Sequence, residues 1–401
     1  MLAPPRRLAL LLVSSIAVSA RPSRAQEPAP KPPEPAEKAA ESKEEEPSLF
    51  IDDQDGWFDI SKFLETKAGF FPLFMPITEP AVGYGLAGGL VFFDAPPKVV
   101  QTDEGTRVLP PNTTFVGGMA TENESWGAFG GHLHKFADGR IRYLVGGGYA
   151  DLNLDWFGQG NTSSDRSISY NIEASALIQK LTFKLGDSDF FLGPTQRLIA
   201  TRSSFDSATL PPDVPRNELD STISGLGVSL GYDTRNSFFC PTHGVKASID
   251  YTQNDHLIGS DFDYGRLGVE ACGYVPLGGK FSLGMRGEGA HAGEDAPFFD
   301  LPSVNLRGIP AGRYVDNYEF TVEAELRWDA TERWTVLGFG GTGWIADELN
   351  EVGDSHGVGA GGIGFRYLIA RKFDMRLGLD VAAGPEDQAI YVSVGTGWLR
   401  D

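Results

Sequence analysis

The chain predicts an all-β protein, a transmembrane antiparallel β-barrel of about 16 strands, on three observations. The first is the segment from Phe320 to Trp328. Phe320, Val322, Ala324, Leu326 and Trp328 fall on one side of an extended strand, and Thr321, Glu323, Glu325 and Arg327 on the other. Successive strand side chains point to opposite faces, so this ribbon has one apolar and one charged face. The second is length: candidate strands average roughly eleven residues, which suits a tilted membrane-spanning strand better than a sandwich strand of five or six. The third is the front of the chain, where Arg6 and Arg7 precede an apolar run from Leu8 to Ala20 with small-residue exits at Ala20 or Ala25. That is the pattern of an export signal. The run is too short to span a bilayer as a mature helix, and no later stretch is apolar enough for one, so membrane residence must come from strands. A soluble exported β-protein, which would turn the same apolar faces inward, is the competing class.

The elements follow in order. Residues 1–25 read as the signal peptide. Residues 26–55 are rich in Pro, Ala, Glu and Lys, with Glu44, Glu45 and Glu46 in a run. Such a segment buries too little apolar surface to fold and reads as a disordered periplasmic linker. Residues 56–81 hold a short helix, Asp59 to Lys67, and a lead-in, with Ile60, Phe63 and Leu64 on one helical face. Three roles are open to the helix: a plug in the periplasmic mouth, a support on the membrane surface, or a simple lead-in. The barrel occupies residues 82–398.

Alternation and turn signals place strands near 82–93, 112–121, 126–136, 140–151, 168–180, 190–202, 222–233, 244–253, 262–275, 280–291, 316–328, 333–345, 357–369, 372–382 and 389–398. Single-chain bacterial barrels have an even number of strands, so one is missing from this set, and the region before Asp233 is where it belongs. Trp126, Trp328, Trp334, Trp344 and Trp398 sit at or near strand ends, where aromatic girdles form.

Composition agrees. Fifty glycines in 401 residues allow strands to bend and leave room in a lumen. Removing the four arginines of the signal takes the formal charge from −20 to −24, which argues against nucleic-acid binding and against docking on an anionic membrane surface. A mean hydropathy of −0.19 excludes a helical membrane protein but not a barrel with a polar lumen. Two cysteines, Cys240 in a turn and Cys272 near a strand end, are too few for a disulfide framework and read as solitary thiols rather than a pair.

Two stretches resemble BamA/TamA-like outer-membrane barrels, the bacterial surface-antigen family. One runs Gly231-Tyr232-Asp233-Thr234-Arg235-Asn236 and then Phe238-Phe239-Cys240-Pro241-Thr242-His243-Gly244. It is similar to that family's strand–turn–strand segment. The other is Leu306-Arg307-Gly308-Ile309, inside the long loop from Ala292 to Val315. It resembles the family's Arg-Gly motif, which implies a loop folded into the lumen with Arg307 on it. The ending Val394-Gly395-Thr396-Gly397-Trp398 resembles the C-terminal strand that the assembly machinery recognises. Phe157-Gly158-Gln159-Gly160-Asn161 and Ile77-Thr78-Glu79-Pro80 are familial but less distinctive. The resemblance covers roughly Gly69 to the end, and the fixed order of short motifs makes it specific. It departs in three places: a short tail stands where the family carries periplasmic repeats, Ile309 replaces an aromatic residue, and Leu399, Arg400 and Asp401 trail the terminal aromatic.

Arg307 is the leading site residue, because a lumen arginine can grip a carboxylate and pin a loop to the wall. Alternation puts Glu323 and Glu325 inward on the next strand, and the family resemblance favours Glu325 as partner. Asp374, Arg376 and Asp380 also face inward on the penultimate strand. His132 and His134 share a strand face but lack a third ligand, and a solvated lumen pair outweighs half a metal site. There is no Gly-x-Ser-x-Gly elbow and no Cys-x-x-Cys pair, and the adjacent Asp255 and His256 are weak grounds for catalysis. The expectation is therefore no enzyme, no catalytic residue, no metal and no cofactor. The many inward carboxylates read as a wet, acidic lumen.

The resemblance implies outer-membrane localisation and a role in membrane biogenesis or in protein or lipid transport. It also implies contact with outer-membrane lipids and lipopolysaccharide, and with the assembly machinery during insertion. The competing functions are a passive cation-preferring channel and an outer-membrane hydrolase.

Overall fold

The computed structural model describes residues 48–66, 70–78, 81–94, 98–102, 105–109, 111–160, 166–206, 210–211, 214–352 and 357–398. The signal peptide, the tail up to residue 47, Lys67, Glu79, Pro80, Asn161, His356 and residues 399–401 lie outside them.

One helical turn, α1 (Ser61–Leu64), precedes the strands. The strands are β1 (Phe70–Ile77), β2 (Gly85–Phe93), β3 (Lys98–Thr102), β4 (Gly105–Leu109), β5 (Thr113–Thr121) and β6 (Trp126–Phe136). Then come β7 (Ile141–Trp156), β8 (Ile168–Lys184), β9 (Phe190–Phe205), β10 (Asp220–Asp233), β11 (Gly244–Asn254) and β12 (Tyr264–Gly278). Last are β13 (Phe281–Ala292), β14 (Tyr318–Asp329), β15 (Trp334–Ala346), β16 (Val358–Ala370), β17 (Met375–Ala383) and β18 (Gln388–Val394). Sixteen of them form one antiparallel sheet in chain order, while β3 and β4 make a separate hairpin between β2 and β5. The sheet curls into a nearly closed barrel in which β18 meets β1.

The segment Phe320–Trp328 decides the environment of that barrel. On β14 the apolar Val322, Leu326 and Trp328 are 48%, 46% and 45% exposed, while the polar Thr321, Glu323 and Glu325 are 0%, 4% and 1% exposed. A soluble β-protein would show the reverse. An apolar exterior over a polar interior is what a lipid-facing barrel requires, because hydrocarbon tolerates only apolar side chains and the polar ones keep to the lumen. Trp126, Trp328 and Trp334 lie on the outside at strand ends, as an aromatic girdle demands. The short turns at one end mark the periplasmic side, and both the N-terminal segment and the end of β18 lie there.

The strand missing from the sequence reading is β1. Its sequence, Phe-Phe-Pro-Leu-Phe-Met-Pro-Ile, has no alternation and two prolines. Its register with β2 runs unbroken from Phe70↔Phe92 to Ile77↔Gly85, so the ring nitrogens of Pro72 and Pro76 point to the other edge, toward β18. Proline cannot donate to a ladder, so an edge is where it fits. No ladder joins β1 and β18 among the described residues; the Thr78 hydroxyl bridges them instead, donating to the Ile390 carbonyl at 2.9 Å and accepting from the Ile390 amide at 2.7 Å. The β3–β4 hairpin was also missed.

Three further corrections concern the ends of elements. The predicted last strand stops at Val394, not Trp398: Gly395 takes φ +81° and the tail turns into the lumen, where Trp398 is buried beside Cys272 and Tyr274 rather than standing in a girdle. Asp374 sits in the turn before β17 with φ +48°, not on the strand. The helix is one turn long, and Ile51 and Phe58, on either side of the expected linker boundary at residue 55, are joined by a β-bridge. Ile60 and Leu64 pack with Phe71, Phe239, Phe373 and Met375 at the periplasmic end of the barrel. Both cysteines are buried and unpaired with each other.

Candidate functional site: a loop latched inside the lumen

The site begins with the loop between β13 and β14, residues 293–317. Its tip is the motif predicted from sequence. Leu306 and Ile309 are buried with Val304, Tyr314, Ile345 and Val358, so the loop carries its own apolar anchor. Ile309, where an aromatic was expected, fills that cluster beside Tyr314. Gly308 has φ +97°, and a Cβ there would meet the Ala383 backbone at 3.0 Å, so the chain can turn tightly against the wall only with glycine. Its amide donates to the Tyr391 hydroxyl at 3.0 Å.

This turn aims Arg307 at the wall. Its Nε donates to Glu323 Oε1, one terminal nitrogen to Glu325 Oε2 and the other to Asp380 Oδ2, each at 2.9 Å. Glu323 and Glu325 come from β14 and Asp380 from β17. Two wall arginines complete the charge balance: Arg327 Nε donates to Glu325 at 2.6 Å, and Arg366 grips Asp380 with bonds of 2.5 and 2.8 Å. Three guanidiniums thus face three carboxylates in a covered network, the arrangement that makes burial of charge tolerable. The guanidinium of Arg307 also lies 3.6 Å over the Phe339 ring.

The C-terminal tail closes the other side. Trp398 Nε1 donates to Glu323 Oε2, and a Cβ on Gly397 would come within 2.8 Å of Arg307. The tail is fixed by Arg366 Nε to the Gly395 carbonyl at 3.2 Å and by the Thr396 amide to the Phe239 carbonyl at 2.8 Å.

Of the expected partners, Glu323, Glu325 and Asp380 converge on Arg307; Arg376 does not, donating instead to the Thr335 hydroxyl at 2.7 Å. Val394 ends β18, and Gly395 makes the turn that brings Trp398 in. Sequence reasoning missed Arg327, Arg366 and the inward course of Trp398. Arg327 was legible, two residues from Glu325 on the same face, whereas Arg366 needed the barrel's circumference to bring it near.

A second anchor has the opposite polarity. Asp300, on the same loop, accepts from Arg197 of β9 and from the Tyr264 hydroxyl of β12, both at 2.5 Å. The familial Gln159 holds the loop's far end through Asp316 at 3.0 Å.

At the mouth, Arg333 in the β14–β15 turn binds Asp52 at 2.5 Å, and Asp55 and Asp59 at 2.7 Å. Arg371 in the next turn binds Asp52 at 2.7 Å and Asp55 at 2.6 Å. The hydrogen-bonded Arg333 guanidinium holds the Asp55 carboxyl far below the usual carboxylate range. Burial would raise Asp59, but hydrogen bonds from Ser61 and Arg333 outweigh it and the carboxyl is lowered.

Two expectations about the wall change. The lumen is not uniformly acidic, since its carboxylates are matched by arginines. His132 and His134 face outward: on the same strand Lys135 and Leu133 line the lumen, and alternation turns the histidines the other way. They contact each other at 3.2 Å, and no third ligand joins them among the described residues. His256 contacts Asp263 at 2.8 Å, not Asp255.

A barrel with an inward loop latched by an arginine defines a class of outer-membrane protein, and comparison with known proteins agrees. Residues 147–301 match the Omp85 superfamily domain. The fold is similar to BamA from Haemophilus ducreyi lacking POTRA domains 1–3, at TM-score 0.51 and 15% identity, over 81% of this chain and 70% of that one. It is also similar to CdiB from Escherichia coli, at TM-score 0.56 and 12% identity, over 81% of this chain and 62% of that one. For CdiB from Acinetobacter baumannii the values are 0.54 and 12%, over 81% and 59%. The match thus spans about six tenths of the CdiB chains. No curated protein sequence matches significantly. The chain resembles the BamA/TamA-like barrels of the Omp85 superfamily and is a bacterial outer-membrane β-barrel.

Proposed function

We propose that this barrel serves outer-membrane biogenesis or the transport of protein or lipid, as a plugged conduit whose loop is held by the Arg307 latch. The Omp85 match supports a role in insertion or transport rather than catalysis. The observation that carries the reading is Arg307 bound by Glu323, Glu325 and Asp380 at 2.9 Å each. A passive pore gains nothing from a loop fastened across its lumen. A conduit that must stay shut until engaged does. On this reading the assembly machinery inserts the chain by recognising Val394, Gly395 and Trp398 before the tail turns inward. The finished barrel contacts outer-membrane lipids and lipopolysaccharide.

Planar-bilayer conductance of the purified protein tests the proposal. The expected native behaviour is low, flickering conductance that rises in Arg307→Ala. A large, steadily open native pore, unchanged by that substitution, rejects the plugged conduit in favour of a passive channel. Proteins that co-purify from native membranes then identify the client.

A further inference from the structure

The segment ahead of the barrel carries more open apolar surface than a water-facing segment should. Leu49, Phe50, Ile51, Trp57 and Phe58 are 45%, 44%, 42%, 52% and 48% exposed. Their backbone is a tight hairpin. Ile51 and Phe58 form a bridge, the Asp52 amide donates to the Trp57 carbonyl, and the Asp59 amide donates to the Phe50 carbonyl, both at 3.0 Å. A contiguous apolar patch of this kind marks a contact surface.

Two sets of contacts fix the level at which the hairpin lies. Phe50 stacks on Phe58 with ring centroids 6.3 Å apart, and a run of rings leads from Phe50 to Phe63, Phe70 and Phe92 at 5.5, 5.8 and 6.1 Å. Phe70 and Phe92 are paired at the periplasmic ends of β1 and β2, and both face outward, because Phe71 points into the interior cluster. On the other side, the Tyr367 hydroxyl donates to the Phe58 carbonyl at 2.8 Å. Tyr367 packs on Trp334, its outward-facing partner across β15 and β16, at 4.8 Å. The hairpin is therefore continuous at two places with the aromatic ring that borders the hydrocarbon.

Its charges are also matched. Asp52, Asp55 and Asp59 bind Arg333, Asp52 and Asp55 bind Arg371 as well, and Asp53 binds Lys62 at 2.7 Å. A paired carboxylate can approach a membrane at far lower cost than a free one.

We infer that the hairpin of residues 49–58 is a membrane foot, whose side chains enter the periplasmic leaflet beside the barrel at the boundary between phospholipid headgroups and acyl chains. Aromatic side chains favour that boundary, and an apolar face buries about 5–10 Å into it. The chain's formal charge of −20 opposes docking by electrostatic attraction, so the contact rests on apolar burial and needs no anionic lipid.

The test uses the full mature protein in phosphatidylcholine nanodiscs, with an environment-sensitive fluorophore on Trp57→Cys, on Leu49→Cys or on Gln54→Cys at the polar hairpin tip. Cys240 and Cys272 are buried, so labelling of the folded protein is selective. A preserved heat-dependent gel shift shows that each variant folds. Labels at positions 57 and 49 are expected to emit at shorter wavelength than the label at 54. They should be quenched by lipids carrying a nitroxide near the ester, less by lipids carrying it near the chain end, and least by aqueous iodide. The label at 54 should be quenched mainly by iodide. Adding Phe50→Ser and Phe58→Ser should move the label at 57 toward iodide, which shows that the native rings, not the dye, hold the hairpin in the leaflet. Iodide quenching at 57 and 49 as full as at 54 would overturn the inference and leave the surface to a protein partner. Undiminished lipid quenching in the folded serine variant would overturn it as well.

Discussion

Two arginines in this protein are each held by three carboxylates, and they behave as opposites. Arg307 rides on a loop and finds its acids on the barrel wall. Arg333 belongs to the wall, in a turn, and receives its acids from the N-terminal segment. The acids of Arg307 are closed off from water, at 0–2% side-chain exposure, whereas at the mouth Asp59 is covered but Asp52 and Asp55 are 12% and 22% exposed. Covered charges cannot be rescued by solvent when one partner is lost, while partly wet ones can. The expectation is that the same ion-pair chemistry acts as a structural latch in one place and as a releasable tether in the other.

The largest expected effect tests the latch. Removing one partner of a buried pair typically costs about 3–5 kcal/mol, because the remaining charge stays buried and uncompensated. Arg307→Ala should therefore lower the temperature of the gel shift markedly and expose the 293–317 loop to protease. Glu325→Ala should act in the same direction, and the double variant should be less than additive because the residues share one network. Strict additivity, or a silent Arg307→Ala, would show that the network does not act as a unit.

A smaller effect probes the tail. Trp398→Phe keeps the ring beside Tyr274 but removes the donor to Glu323. Loss of a hydrogen bond to a charged group is worth about 1.5–3 kcal/mol, so the gel-shift temperature should fall by less than in Arg307→Ala. A fall as large as that of Arg307→Ala would make the tail, not the arginine, the principal fastener.

The mouth should respond differently. Arg333→Ala is expected to free residues 48–66 for proteolysis while leaving the barrel's gel shift nearly unchanged. Deleting residues 26–46 should disturb neither readout. If Arg333→Ala unfolds the barrel, the mouth network is as structural as the latch and the contrast fails.

Acid sharpens the contrast with the smallest perturbation. Asp55 and Asp59 have folded values below their unfolded ones, so their contribution is complete above the ordinary carboxylate range near pH 4 and is lost as pH falls through the depressed values. A fluorophore on Gln54→Cys should stay immobile from pH 7 to about 4 and become mobile only below that. Release between pH 7 and 5 would mean that another group controls docking. Salt should weaken this tether before it touches the Arg307 network, since screening acts most on charges open to water.

The amino-acid sequence by itself determined the class of fold. Period-two alternation is a local property, and long alternating strands behind an export signal leave few architectures open. It also determined Arg307 and the inward side of Glu323, Glu325 and Asp380, because a motif marks the loop and alternation assigns the faces. Tertiary structure alone decided three things. β1 was invisible because Pro72 and Pro76 break every local strand signal, and only its position at the seam makes them tolerable. Trp398 looked like a girdle residue because alternation cannot register the turn at Gly395 that sends it into the lumen. Asp52 and Asp55 looked like the end of a solvated acidic tail and Asp59 like the start of a short helix, because their partners Arg333 and Arg371 lie more than 270 residues away along the chain. Charge pairing across such a distance is set by closure of the barrel, which brings the turns of β14–β17 to the mouth where the chain enters, and no window of sequence contains it.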